Sequence, residues 1–464
     1  MLEYILFVFS LILYFVAPDD YQWSFCALCC GVFLLGSFFA IKPSLKKKEL
    51  LSFNVIFLFS YFWTSFAYPL LIYGTFRDRA NYINEYINWD NLSHTSAVAL
   101  VFICSYFVGY SYTIKKVKSN RPYSFSLATL NVQSLFFGFI SILYITSILF
   151  SFIVTGKVNL SFGVFLTDIY FTLLVFVLYV NVNNNQHCYH GLKNFIKINK
   201  YPLIISVILF SISVIVGDRG PAIKTILILF SVYYFFWNKI KVKRLVIYGL
   251  FFLCLLFFVR QTRSSENNIV SGGVSIESVK NVFTLENGIL YLFADLFYIN
   301  RELCVGYEYY RSHDLYYPEK ILIAPLYPIP LLPSFISNVF FSVTPAEMET
   351  GKKLNDIMLN DYTVESNFGN HCAGDLIMSF GLLGLVILSY IFGRVVSYFN
   401  QTKYNHPYSA CGFIILLSWS LYMPRSVILS IIRPLGYIFI FGNMLLKIKN
   451  KLKRDDKLHT CNFS

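Results

Sequence analysis

At 464 residues the chain is 56% hydrophobic and only 14% charged, with a mean hydropathy of +0.58. A soluble domain carries roughly a quarter charged residues, so a soluble globular protein is excluded. The formal net charge of +13 invites a nucleic-acid reading, but the way that charge is distributed excludes it too.

The apolar residues fall in blocks long enough to cross a hydrocarbon core about 30 Å thick. In chain order they predict about twelve spans, near 2–17, 21–41, 51–73, 94–114, 131–155, 163–182, 201–217, 221–238, 245–260, 372–397, 409–423 and 426–446. The first block, LEYILFVFSLILYFVAPDD, has no basic leader and reads as a retained helix rather than a cleaved signal. Most cysteines (Cys26, Cys29, Cys30, Cys104, Cys254, Cys411) sit inside apolar runs, where they act as small hydrophobes. Adjacent Cys29 and Cys30 do not make a metal site, and Cys304 with Cys372 gives at most a faint disulfide signal.

Lysine and arginine accumulate in cytoplasmic loops. The segments KPSLKKKE, KKVKSNR, KNFIKINK and KIKVKR and the tail KIKNKLKRDDK all fall on one side when spans are counted alternately. Both termini are therefore expected in the cytoplasm, and the positive charge is a topology signal. The same count makes 261–371 one large extracytoplasmic loop, with seven Lys/Arg against thirteen Asp/Glu. The expected fold is an all-α polytopic integral membrane protein. A bundle of about nine helices (1–260) is followed by the loop, three last transmembrane helices (372–446) and a basic cytoplasmic tail (447–464).

The loop carries its own local signals. ESVKNVFTLENGILYLFADLFYI is an apolar-rich helix candidate, lying in the interface or dipping into the membrane. PEKILIAPLYPIPLLPS is proline-dense and is predicted to be extended. Thr344, Pro345 and Glu347 read as N-cap, N1 and N3 of a capping box that opens a helix. Long ordered loops on a rigid scaffold usually carry function.

The polar residues at the outer ends of the spans are the candidate site. VGDRGPAIK joins two apolar runs, and Gly220 and Pro221 suffice to make its turn. Arg219 then stands at a helix N-terminus, where free N–H groups already favour an anion, with Asp218 beside it. A guanidinium there grips phosphate bidentately; the bland alternative is an arginine reaching to lipid headgroups. Arg260 and Arg263 in FFVRQTRSS and Arg425 in YMPRS lie on the same side, and Arg433 in SIIRPLG falls about two turns inside the last span. A charge at that depth costs about 2.5–3.5 kcal/mol on insertion scales and needs a partner or a polar cavity, unless it snorkels. Together these arginines suggest a polyanionic ligand at the outer leaflet. His371 at the edge of the tenth span, with Asp375 one turn on, is the candidate base and its supporter; the plain reading is an interfacial histidine and a helix-favoured aspartate. His313 and Glu365 are weaker candidates in the loop, and His94 reads as structural. The adjacent carboxylates of APDD end a helix in the ordinary way. No zincin, paired-CxxC, Walker, GxSxG or dinucleotide motif occurs, and no metal or cofactor is expected.

The order GDRGPAI between two mid-chain spans, a large outer loop after VRQTR, GNHCAGDLIMSFGLLGL opening the next span, and an arginine-bearing last hairpin resembles the Wzy-type O-antigen or capsule repeat-unit polymerases. The resemblance covers about the last 250 residues in layout; residues 1–200 match only as a set of spans. It implies a bacterial inner-membrane glycosyltransferase of lipopolysaccharide or capsule biosynthesis. The substrate would be an oligosaccharide repeat on undecaprenyl pyrophosphate at the periplasmic face. The growing glycan would move from its lipid pyrophosphate onto a sugar hydroxyl of the next repeat, with inversion. Arg219, Arg260, Arg263, Arg425 and Arg433 would hold the pyrophosphate with Asp218 in support, His371 and Asp375 would be catalytic, and the acidic loop would hold the sugars. Membrane lipids and a chain-length regulator are the implied partners, without nucleic acid. Two alternatives stay open: an O-antigen ligase acting on lipid A core, and a polysaccharide flippase or exporter. Polar residues gathered at the outer ends of the spans, and so long a loop, weigh against transport.

Overall fold

The computed structural model describes residues 2–46, 49, 51–71, 91–114, 137–146, 161–185, 191–216, 219–240, 244, 296, 299–362 and 369–443. These residues are helical throughout apart from turns and connections. Among the described residues, five helices are long and apolar enough to cross a membrane, six if one bent pair counts as a span, and several shorter apolar helices accompany them. The protein is thus an all-helical, multi-pass membrane protein. The predicted span near 245–260 and the helix candidate at 277–299 lie outside the described residues, apart from positions 296 and 299.

The chain forms two compact units. The first holds α1 (Leu2–Phe15), α2 (Trp23–Lys46), α3 (Phe53–Ser65), α4 (Ala67–Leu71) and α5 (Leu92–Ile114). The second holds α6 (Phe137–Thr146), α7 (Ser161–Asn184), α8 (Leu192–Ile198), α9 (Lys200–Val216) and α10 (Arg219–Val232) with its π-helical extension Tyr233–Trp237. To the first unit return α11 (Ile299–Ser312), α12 (Lys320–Ile323), α13 (Leu332–Phe341), α14 (Thr350–Tyr362) and almost all of α15 (Cys372–Thr402). α16 (Pro407–Trp419) belongs to the second, and α17 (Ile428–Asn443) follows a short 3-10 turn at Met423–Arg425.

In the first unit α5 is the hub. Ser111 donates to Glu3 at the far end of α1 (3.1 Å), and Tyr61 of α3 donates to the Ala99 carbonyl (2.8 Å), so α1 and α3 run antiparallel to α5. The Gln22 amide donates to Ser93 (3.0 Å) and Ser105 to the Val386 carbonyl (2.7 Å), which sets α2 and α15 parallel to it. Small residues let α5 and α15 touch backbone to backbone: a Cβ on Gly109 would meet the Tyr390 carbonyl, and one on Gly393 the Tyr106 carbonyl. Tyr61, Phe102, Tyr106 and Phe392 fill the remaining space with stacked and tilted rings. Phe15, Leu34 and Leu383 stay exposed, as lipid-facing residues do.

In the second unit Tyr179–Phe236 (5.3 Å) and Lys224–Phe171 (5.9 Å) pair matching ends of α7 and α10, so those two are parallel. Phe235–Phe413 (4.9 Å) and Lys224–Trp419 (3.4 Å) set α16 antiparallel to α10. Asn181–Asn199 (3.1 Å) and Tyr170–Ser206 (3.4 Å) set α9 antiparallel to α7. Within each unit, helix directions follow the alternation that counting spans from the N-terminus requires.

Two local expectations change. The proline-dense stretch is not extended: it forms α12, a 3-10 turn at Ala324–Leu326, and α13, with Pro325 and Pro333 in first turns where no amide donor is needed. The capping box does form. Thr344 gives its amide and hydroxyl to the Glu347 carboxylate (2.7 and 2.9 Å), which these bonds hold below the usual carboxylate pKa, and the Glu347 amide returns to Thr344 (3.4 Å). It closes only a turn, however, and α14 begins at Thr350.

Candidate functional site

In the second unit, charged side chains gather near matching ends of the apolar helices. Asp168 is the one charged residue of α7 and is 3% exposed. Its carboxylate lies 3.6 Å from the Arg433 guanidinium, and Lys224 of α10 is a second electrostatic neighbour. The Lys224 ammonium sits 3.4 Å from the ring centroid of Trp419, the last residue of α16. Charges among apolar helices persist only when paired or functional, and here two cations surround one carboxylate. The Arg433 side chain keeps 26% exposure while Asp168 keeps 4%. The buried carboxylate therefore anchors a guanidinium that stays partly exposed. Pro221 lies in the first turn of α10 as its sequence predicts, and Gly220 shares that turn rather than closing the helix before it. Arg219 is the first residue of α10, at the end whose amides have no intrahelical partner. Its side chain lies outside the described residues, as do Asp218, Arg260, Arg263 and Glu365.

In the first unit, α11 covers the ends of α3, α5 and α15. α11 is polar, yet Asn300, Arg301 and Glu302 are buried. Asn300 donates to the Ser65 carbonyl (2.9 Å), Cys304 pairs with Thr95 (3.7 Å), and Tyr307 stacks on His94 (5.5 Å). Gly306 and Gly374 allow the close crossing, since a Cβ on either would sit 3.1 to 3.2 Å from backbone atoms of the other helix. The His94 Nε2 lies 3.3 Å from the exposed Asp19 carboxylate.

His371 is fully buried immediately before α15. Its Nδ1 accepts the amides of Ala373 (3.1 Å) and Gly374 (3.4 Å), so it caps the helix. A ring nitrogen that accepts carries no proton, so Nε2 carries it and donates to Ser65 Oγ (3.0 Å). Burial lowers the imidazole pKa to about 3, which keeps the ring neutral. The expected orientation of His371 by Asp375 is not what forms. Asp375 Oδ1 instead accepts from the Lys320 ammonium (2.6 Å) and the Thr350 hydroxyl (2.6 Å). Asn370 donates to the same hydroxyl (2.5 Å), and its amide donates to the Arg425 carbonyl (3.3 Å). The Arg425 guanidinium lies 5.9 Å from the Tyr422 ring. His313 is exposed and stacked flat on Tyr309 (4.4 Å).

Lys224, Asp168, Lys320 and Thr350 were not anticipated as site residues. The signal for Asp168 was there to read: a single carboxylate in an otherwise uncharged helix. Lys320 and Thr350 are brought to Asp375 from 55 and 25 positions away, and no local pattern shows that. Cys304 and Cys372 are buried free thiols. Among the described residues no three His, Cys, Asp or Glu side chains converge as a metal-ligand set. Comparison with known protein families, with characterised proteins and with solved structures finds no match to this chain.

Proposed function

We propose that this protein is a membrane-embedded glycosyltransferase that polymerises oligosaccharide repeat units carried on undecaprenyl pyrophosphate at the periplasmic face of the bacterial inner membrane. The observation that carries the reading is the Asp168–Arg433–Lys224 cluster: two cations and one carboxylate near the ends of apolar helices, with Arg433 partly exposed. Span counting puts this end of α7, α10 and α16 on the outer side. A pyrophosphate leaving group develops negative charge as the glycosidic bond breaks, and fixed cations in a site of low dielectric stabilise it. Arg433 would grip the phosphate with Asp168 holding its orientation, and Lys224 would add a point charge. The α10 amides behind Arg219 add a partial positive charge. Attack by a sugar hydroxyl opposite the departing pyrophosphate inverts the anomeric carbon. A base role for His371 requires its Nδ1 to release the Ala373 and Gly374 amides, because Nε2 already carries the proton it gives to Ser65.

The test is the surface-glycan ladder of cells lacking the chromosomal gene. Single repeats on lipid A core, restored to a ladder by the intact gene, are the expected result. A core with no repeat at all makes the protein a ligase or a flippase instead.

A further inference from the structure

No acidic, basic or histidine residue occurs from Ile321 to Ala346, inside a loop that is otherwise acidic. Apart from Ile323 and Ala324, which are buried, this stretch leaves most of its large apolar side chains exposed or half-exposed. Leu322, Ile329, Phe335 and Val339 are exposed, and Leu331 and Phe340 keep 83% and 69% of their surface. Isolated exposed hydrophobes are ordinary, but a contiguous group of this kind marks an interaction surface.

The start of the stretch is fixed to a membrane helix. Lys320 is locked to Asp375 (2.6 Å) with its ammonium over Phe380 (5.3 Å), and the Tyr316 amide donates to the Met378 carbonyl (3.0 Å). Residues 316–320 therefore run beside the first turns of α15, whose own exposed stripe Leu383, Ile387 and Ile391 continues down the helix at four-residue spacing. The apolar stretch leaves the protein at the level where that lipid-facing stripe ends. α13 has 10 residues, a length of roughly 15 Å, which is half of what a span requires. Pro325, Pro328, Pro330 and Pro333 prevent a longer helix. Leu331 and Ser342, at φ 65° and 55°, turn the chain at either end of α13. Irregular backbone with amides to satisfy stays out of the hydrocarbon centre, and an apolar short helix settles at the boundary of headgroups and acyl chains.

We propose that residues 321–343 form a strap inserted into the bilayer leaflet at the N-terminal end of α15, with the exposed face of α13 against acyl chains. The partner is phospholipid, and the inference does not depend on the proposed enzyme activity. The strap ties the polar helices α11 and α14 to the membrane surface through Lys320 and Asp375.

The test places the photo-reactive analogue p-benzoylphenylalanine at position 335 or 340 of the full chain in native membranes, with mass spectrometry after irradiation. Phospholipid adducts are expected at both positions. In parallel, Phe340→Trp in nanodiscs should add emission that dibrominated lipid quenches more strongly from the 6,7 than from the 11,12 positions, with at least a threefold preference over aqueous iodide. A cross-linked pair of chains, cross-links only within the chain, or added emission quenched mainly by iodide would overturn the proposal.

Discussion

Lys320 and Asp375 form a buried ion pair, 2.6 Å from ammonium to carboxylate, with their side chains 4% and 0% exposed. The pair joins α12 to the first turn of α15, and Thr350, the first residue of α14, donates to the same carboxylate oxygen. One carboxylate thus gathers two segments of the loop onto a membrane helix. Leaving one member of such a pair unpartnered costs about 3–5 kcal/mol. Lys320→Met and Asp375→Asn are each expected to lower the melting temperature in detergent and to expose the 320–350 region to protease. The double variant Lys320→Met with Asp375→Leu should recover part of that loss.

Backbone contact between α5 and α15 makes a second prediction. Gly109→Ala and Gly393→Ala force a methyl into a facing carbonyl, and overpacking of this kind costs about 1–3 kcal/mol or more. Gly31→Ala, with nothing within 4 Å of the added carbon, should be neutral or slightly stabilising. Thermal unfolding of the three purified variants checks this, and equal melting temperatures would refute the crossing.

His371 separates a capping role from a chemical one. Asparagine also caps helices well, so His371→Asn should retain the fold and, if the imidazole serves only as a cap, the surface-glycan ladder. Loss of the ladder at normal membrane levels would restore the imidazole to the chemistry.

The same residue sets a pH dependence. Its folded pKa is lowered from 6.5 to about 3, so the stability it contributes is complete above pH 6.5 and falls away as pH drops toward 3. Between pH 7 and pH 5 the wild type should lose about 2 kcal/mol relative to His371→Asn. Parallel melting curves across that range would contradict the neutral, buried ring.

Much of the architecture was legible because membrane helices are written in composition. Apolar blocks and lysine-rich loops predict where helices start, and helix directions within each unit agree with the count. What composition cannot carry is the pairing of distant polar residues. Asp375 looked like the partner of His371 because the two share one helical turn, but Lys320 and Thr350 compete for the carboxylate from remote segments. The proline-dense stretch looked extended because proline breaks long helices; short helices with proline in the first turn escape that rule. Arg433 was found as a charge too deep in an apolar run. Asp168 was missed although the same argument applies to it.

The most direct measurement is binding of undecaprenyl pyrophosphate, against undecaprenol, to the purified full chain by native mass spectrometry, for wild type, Arg433→Ala, Arg433→Lys and Lys224→Gln, each checked for an unchanged melting profile. A charge-assisted hydrogen bond contributes about 1.5–3 kcal/mol, so the account predicts at least a tenfold loss of pyrophosphate affinity in Arg433→Ala. A smaller loss is expected in Arg433→Lys and Lys224→Gln, with undecaprenol binding unaltered. Equal pyrophosphate binding by all four proteins would contradict it and reduce the cluster to an ion pair that holds α7 in place.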